Sequence, residues 1–256
     1  MESTKIKPLD VLSESQLSEI RKKNDLRNIF ALLFDWGLMV LGLYVFYYYP
    51  SILTFLASVV VIGSRQFALA VLAHDGAHNL LFSNSKINDF ISQWFCAYPI
   101  FQDNRVYRPY HLKHHRFTET QEDPDLILSA PFPINKKSFF RKVVRDLTGV
   151  TGYKRYSSSL VSIFKTEGDD SSGKISRIWN KIHGFFIVNL VIFVLISSFF
   201  HWSLFFLLWW LPAFTYYSLI IRIRNIAEHC VTPGESDFNN TRTTRASFLM
   251  RFLLAP

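Results

Sequence analysis

The sequence predicts an all-α integral membrane protein with four transmembrane helices in two hairpins and a cytoplasmic helical cap. The chain of 256 residues is 49% hydrophobic and 16% aromatic, which is too apolar for an ordinary soluble enzyme. The apolar residues form four runs of about 20 residues, the length with which a helix crosses the hydrocarbon layer. The short links within the two pairs of runs contain no Lys or Arg.

The four predicted spans form two pairs, and the members of each pair are separated by a single residue. Each pair is therefore expected to be a helical hairpin. The spans are residues 29–49 and 51–73, followed by residues 184–200 and 202–221. A fifth apolar stretch, residues 87–101, is shorter and contains Asp89 and Gln93. We expect this stretch to be interfacial or re-entrant rather than spanning.

The basic residues predict the orientation of the chain in the membrane. Residues 1–28 contain six Lys and Arg, residues 102–182 contain fifteen, and residues 222–256 contain five. The positive-inside rule puts these three segments in the cytoplasm and both hairpin tips outside. This distribution accounts for the net charge of +8 without a nucleic-acid partner. We divide the chain into a cytoplasmic N-terminal segment, residues 1–28, and a membrane domain, residues 29–256.

The polar segments contain weaker helix signals. Ser13 followed by Gln16 has the spacing of a capping box and predicts a helix start in the N-terminal segment. Within the long cytoplasmic segment, helical pieces are expected near residues 135–147 and 174–182. A patch rich in Ser, Gly and Asp, residues 166–173, precedes the second piece.

Six of the eight histidines are predicted to meet at the cytoplasmic face. One pair, in HDGAH, ends the second span, and its i, i+4 spacing puts both rings on one helix face. Three more lie in HLKHH, and the sixth follows the fourth span. The six are His74, His78, His111, His114, His115 and His229. His183 and His201 are expected to be interfacial residues rather than ligands.

A group of neutral imidazoles at one membrane face predicts a transition-metal site. No cysteine lies within these clusters, which excludes iron–sulfur and thiolate-zinc sites. Six histidines exceed the ligands of one zinc ion, so two ions are favoured, and iron suits a nitrogen-rich site for oxygen chemistry. Asn225 is a candidate to hold a metal-bound water. Nearby carboxylates that could orient the histidines, or be only solvated acids, are Asp75, Glu119, Asp123, Asp125 and Glu228. The DPD triplet that contains Asp123 also fits a plain turn.

A charged residue within the second predicted span is a separate feature. Arg65 lies in the apolar run before His74, where an ionised side chain is costly. It is expected to pair with Asp35 of the first span or with a lipid headgroup. Snorkelling to the cytoplasmic interface is the alternative.

The motifs HDGAH, HLKHH with its DPD, and NIAEH, on four helices in two hairpins, resemble those of the membrane fatty acid desaturase superfamily. The resemblance runs from about residue 30 to the end of the sequence. It implies a non-haem di-iron centre that uses O2 and two external electrons to cleave an unactivated C–H bond. The six clustered histidines would be the iron ligands, and Asn225 would take the place of a water-mediated ligand. The superfamily has a further HxxHH box downstream, which this sequence lacks. We therefore expect the sequence to be C-terminally truncated and inactive by itself.

The function expected from these features is O2-dependent desaturation of a lipid acyl chain. A carotenoid ketolase or hydroxylase, or a lipid hydroxylase, remains an alternative because these reactions share the first hydrogen abstraction. A zinc-dependent membrane hydrolase, with three ligands and an activated water, is the alternative from another class. The sequence contains no fused haem or ferredoxin motif. An external electron carrier, a ferredoxin or a b-type cytochrome, is therefore expected at the basic cytoplasmic face.

Overall fold

The structure, a computed structural model, describes residues 8–164, 174–232 and 241–254, and its regular secondary structure is helical. The predicted Ser/Gly/Asp patch at residues 166–173 lies outside the described residues. The α-helices within the described ranges are α1 (Glu14–Ile20), α2 (Asp25–Tyr48), α3 (Ile52–Ala77), α4 (Ser85–Ile91), α5 (Asn104–Phe117), α6 (Leu126–Ser129), α7 (Lys136–Leu147), α8 (Val150–Phe164), α9 (Lys174–Phe199), α10 (Leu211–Phe214), α11 (Tyr216–His229) and α12 (Phe248–Leu254).

The predicted all-α integral membrane fold is confirmed. Four helical stretches of the described residues are long and apolar enough to cross a membrane, and they are Glu14–Tyr48, Ile52–Ala77, Ile175–Phe199 and Phe205–His229. The first two are α2, with α1 before it, and α3, which pack against each other as the expected hairpin. The core between the two hairpins includes Met39, Ile62, Leu69, Leu208 and Trp209. The capping box of Ser13 and Gln16 starts α1 as predicted.

The second pair of spans differs in detail from the prediction. The expected piece at residues 174–182 and the expected span at residues 184–200 form one helix, α9. The fourth span is interrupted: a π-helical turn, Phe205–Trp210, leads into the short α10, and α11 begins after Thr215. Pro212 has no N–H to donate, which favours such a departure from regular α-helical bonding.

Two further elements shape the region near the histidines. Residues 87–101 do not form a single helix, since α4 is followed by a π-helical turn (Ser92–Ala97) and a 3-10 turn (Tyr98–Ile100). These pieces pack against α3 and α9, and their placement at the membrane surface stays a prediction. The expected helix near residues 135–147 is α7. Helix α8 was not predicted, because its sequence contains a run of three serines and no helix-start signal.

Arg65 pairs with Asp35, which was one of its expected partners. The Nη1 atom of Arg65 lies 3.0 Å from Oδ1 of Asp35, and the two side chains are 4% and 7% exposed. Arg65 also donates to the carbonyl oxygen of Phe252, and its guanidinium lies 4.9 Å from the centre of the Phe252 ring. The buried charge therefore joins both helices of the first hairpin to α12.

Candidate metal centre

Backbone carbonyls at the end of α3 hold α5 and its histidines in place. Asn104, at the start of α5, donates to the carbonyl of Ala73 at 2.9 Å, and Arg108 donates to that of Gly76 at 3.0 Å. Asn88 donates to the same Gly76 carbonyl at 2.9 Å. Gly76 is among the last four residues of α3, whose carbonyls have no partner further along the helix, so side chains from outside can satisfy its carbonyl. These bonds bring the HLKHH segment against the end of HDGAH.

A glycine makes this close approach possible. A Cβ atom added at Gly76 would overlap the side chain of Ser92, which belongs to the π-helical turn after α4. The short side chain of Ser92 and the missing one of Gly76 let this turn lie directly against α3. The end of α3 is thus packed directly against this turn, which fixes the position of its histidines.

Four of the six predicted histidines form one compact group. Each offers a ring nitrogen, and these nitrogens all lie within 4.8 Å of one another. Nε2 of His111 lies 3.0 Å from Nε2 of His78 and 2.9 Å from Nε2 of His115. The ring of His74 is 4.5 Å from that of His111, measured between centroids. We call His74, His78, His111 and His115 the four-histidine group.

The other two predicted histidines lie beside this group. The rings of His114 and His229 are 5.1 Å apart between centroids, and His114 is 5.6 Å from His115. His114 comes from α5 and His229 from the end of α11, so the pair joins the two halves of the fold. The buried Nδ1 atom of His229 has no hydrogen-bond partner among the described residues. An unpaired buried donor or acceptor is rare, and a bound ion or water is one way to satisfy it.

Asp123 connects the DPD turn to the site. Its Oδ1 atom lies 2.8 Å from Nδ1 of His114 and accepts the backbone N–H of Asp125 at the same distance. Its Oδ2 atom accepts the N–H of Glu119 at 2.8 Å. Burial opposes the charge of this carboxylate, yet the hydrogen bonds from His114 and from the two N–H groups keep its pKa below the ordinary value. The triplet is therefore both a turn and a support for His114.

The remaining predicted polar residues differ in their hydrogen-bond and ion-pair partners. Asp75 lies 3.2 Å from Nδ1 of His74, and Asp125 accepts a hydrogen bond from Tyr110 at 2.6 Å. Glu228 instead pairs with Arg224 of the same helix at 2.6 Å. The Oδ1 atom of Asn225 accepts the thiol of Cys230 at 3.6 Å.

Two tyrosines of α5 belong to the site and were not predicted. The ring of Tyr107 stacks on that of His111, with centroids 4.9 Å apart and planes 12° from parallel. Tyr110 donates to Asp125, as described above. Each precedes a site histidine by four residues, so helical spacing within YRPYHLKHH was the signal that could have found them.

Three histidines of the four-histidine group, His78, His111 and His115, are poor bases. Loss of hydration and the neighbouring imidazoles lower the pKa of His111 to about 2 and that of His115 to about 4. The pKa of His78 is lowered too, by burial and by His74. These rings are neutral at pH 7, so their nitrogen lone pairs are available to a metal ion. A set of neutral nitrogen donors at this spacing fits a transition metal and does not suit Mg²⁺ or Ca²⁺.

A cavity of about 530 Å³ lies beside the site. Tyr107 and Tyr110 line its histidine side, and Ser159 of α8 and Phe185 of α9 line the opposite side. A smaller cavity of about 140 Å³ shares Phe185 and continues to Trp210 and Phe214 of the fourth span. Aromatic side chains thus line a space that extends from the neighbourhood of the histidines towards the membrane-spanning helices.

Comparison with known proteins identifies the family. The family model described as Fatty acid desaturase matches residues 50–256. Dihydrorhizobitoxine desaturase from Bradyrhizobium elkanii is 28% identical over 210 residues, which are 77% of this chain and 58% of that protein. The chain thus spans a little over half the length of this relative. Since the family match covers the four-histidine group, His114, His229 and most of the membrane spans, the chain belongs to the fatty acid desaturase family.

Proposed function

We propose that the protein carrying this sequence desaturates a lipid acyl chain with O2 at a centre of two histidine-bound iron ions. The observation that carries the proposal is the meeting of all six clustered histidines from α3, α5 and α11 within one site. Family membership supports the reaction class. The relative named above is a desaturase by its name, and we take from it only that class of reaction.

The chemistry of the substrate explains why a metal is needed. An alkyl C–H bond is not acidic, and no side chain of this protein could remove its hydrogen as an acid or base. Bound iron supplies the oxygen chemistry that such a bond requires. The chain itself holds the metal, orients its ligands and aims the substrate.

We assign the ligands by their grouping. The four-histidine group would hold one iron ion, and His114 and His229 would belong to the second. Asp123 and Asp75 would fix the ring orientation of His114 and His74, with Asp125 and Glu228 further out. Asn225, one helical turn before His229, would hold a water bound to the metal. A ligating histidine that donates its other ring N–H to a carboxylate is held in one tautomer, and this raises its basicity as a ligand.

The aromatic cavity beside the site suits a lipid chain. Its walls are mainly apolar, and it extends towards the fourth span, from which an acyl chain could enter without crossing water. Tyr107 lies where the cavity meets the four-histidine group, so its ring would contact the part of the chain that reacts.

The histidines are proposed to lie on the cytoplasmic side, where the basic segments place them by the positive-inside rule. An external ferredoxin or b-type cytochrome would deliver electrons at this face. The exposed side chains of Lys113 and Arg116, on α5 beside the site, give this face the positive charge that attracts an acidic carrier.

The test is expression of the protein that carries this sequence in a host with a defined lipid profile, followed by metal and lipid analysis. We expect two iron ions per chain and a new double bond in a cellular lipid. His111→Ala should abolish the product and reduce the iron content, whereas His201→Ala, outside the site, should change neither. One zinc ion without iron would contradict the proposal, and a hydroxylated lipid or an oxidised carotenoid would reassign the reaction within the superfamily.

A further inference from the structure

Helix α7 exposes an apolar line and a basic line of side chains, and the proposed reaction uses neither. Phe140, Val144 and Leu147 form an apolar line on it and are 68%, 40% and 47% exposed. Lys137, Arg141 and Arg145 form a parallel basic line, each one turn from the next. An apolar stripe bordered by positive charge is the pattern of a helix that lies in a membrane interface.

The exposed charge of α7 is positive throughout. The helix contains five basic residues and one acid, Asp146. Asp146 is fully buried and accepts from Nη2 of Arg222 on α11 at 2.8 Å. Within the described ranges, the five basic side chains form no ion pair. The acid is thus used to fix α7 to the fourth span, and the basic residues face outwards.

The attachment to Arg222 also places α7 on the membrane side of the histidines. Arg222 precedes His229 by seven residues, which corresponds to about 10 Å along α11 towards the membrane-spanning part. Helix α8 follows α7 after a short turn. It contacts the fourth span further towards the membrane-spanning part than α7 does. Its Arg155 donates to the carbonyl of Ala213 at 3.0 Å, and its Gly152 lies directly against the backbone of Phe214.

We propose that α7 binds anionic phospholipids: its apolar line enters the headgroup region, and its basic line contacts the phosphates. Large exposed apolar side chains are unfavourable in water, and a bilayer would cover them. The location argues for lipid over an electron carrier, because a carrier must approach the histidines from the aqueous side. The proposal does not depend on the reaction proposed above.

The experiment uses the full chain in nanodiscs of pure phosphatidylcholine, or of phosphatidylcholine with about one third phosphatidylglycerol. Hydrogen exchange of the amides of residues 136–147 is the readout. We expect exchange to be about tenfold slower in the anionic bilayer, and this difference to vanish at high salt, which screens exposed charges.

Matched variants make the result specific to α7. The triple variant Lys137→Gln, Arg141→Gln and Arg145→Gln should lose the difference between the two lipids. The triple variant Arg21→Gln, Lys22→Gln and Arg27→Gln removes the same charge from another exposed region and should keep it. Equal melting temperatures would show that both variants fold. Equal exchange in the two lipids would overturn the proposal, as would protection that arises only when an acidic redox protein is added.

Discussion

Nδ1 of His114 lies 2.8 Å from Oδ1 of Asp123, and the two side chains are 7% and 1% exposed. This contact commits one ring nitrogen of His114 to a carboxylate and leaves Nε2 as the nitrogen available to a metal ion. The two backbone N–H groups that Asp123 accepts hold the carboxylate in turn. The loop after α5 is therefore part of the site, although we propose no metal ligand from it.

Replacing this carboxylate tests its supporting role. Asp123→Asn keeps the size of the side chain but removes the charge, so we expect metal affinity to fall roughly 10- to 100-fold. The measurement is a metal titration of the purified protein, together with its iron content. Glu122→Gln, at the exposed neighbouring position, is the control and should bind metal normally. An Asp123→Asn protein with unchanged affinity would show that the turn only shapes the loop.

Tyr107 is expected to act through its ring rather than its hydroxyl. Tyr107→Phe preserves the stacking on His111 and should retain most of the activity proposed above. Tyr107→Ala removes the ring between the cavity and the four-histidine group and should lower activity at least tenfold, or shift the preferred chain length. Product analysis over acyl chains of different length checks this. Equal activity of the phenylalanine and alanine variants would contradict it.

The ion pair of Arg65 and Asp35 predicts strong coupling between α2 and α3. Removing one partner leaves the other charge buried, so Arg65→Met and Asp35→Leu should each cost about 3–5 kcal/mol of stability. The double variant should cost clearly less than the sum of the two. Unfolding in detergent, followed by circular dichroism, measures all four proteins. Additive effects would mean that the pair does not act as a unit.

Two glycines in long helices should respond oppositely to alanine. A Cβ at Gly184 in α9 would overlap the ring of Tyr98, so Gly184→Ala should destabilise the protein by about 1–3 kcal/mol. A Cβ at Gly37 in α2 meets no atom within 4 Å. Gly37→Ala should therefore be neutral or stabilise by up to about 1 kcal/mol, because alanine favours the helix. Melting temperatures in the same detergent compare them, and a stable Gly184→Ala protein would refute the close contact.

The spans and the histidine meeting point were predictable because each depends on a strong local signal. Span length and apolar content are properties of the sequence itself, and the positions of His74, His78 and His229 follow from where the helices end. The spacing within HLKHH then brings its rings to one helix face. The family match and the six histidines that the structure brings together agree with this expectation.

Details that depend on packing were not predictable. The break near Thr215 and the position of α8 follow from contacts between distant segments, such as Arg155 with the Ala213 carbonyl. Residues 174–182 continue into the third span as one helix, in which Gly184 lies directly against the ring of Tyr98 from a distant segment. Glu228 also pairs with Arg224 on the same helix at 2.6 Å, a partner that the sequence pattern did not indicate. A sequence pattern does not rank such competing partners.

The pairing of Arg65 with Asp35 also has a consequence for biogenesis. Either helix of the first hairpin alone would carry an unneutralised charge into the lipid, which costs several kcal/mol. We therefore expect the insertion machinery to release α2 and α3 together, as a neutral unit. The wild-type hairpin should integrate fully in an in vitro translation with membranes, whereas α3 followed by a polar sequence should integrate only in part. Helices that integrate equally well alone would show that the charges meet only after insertion.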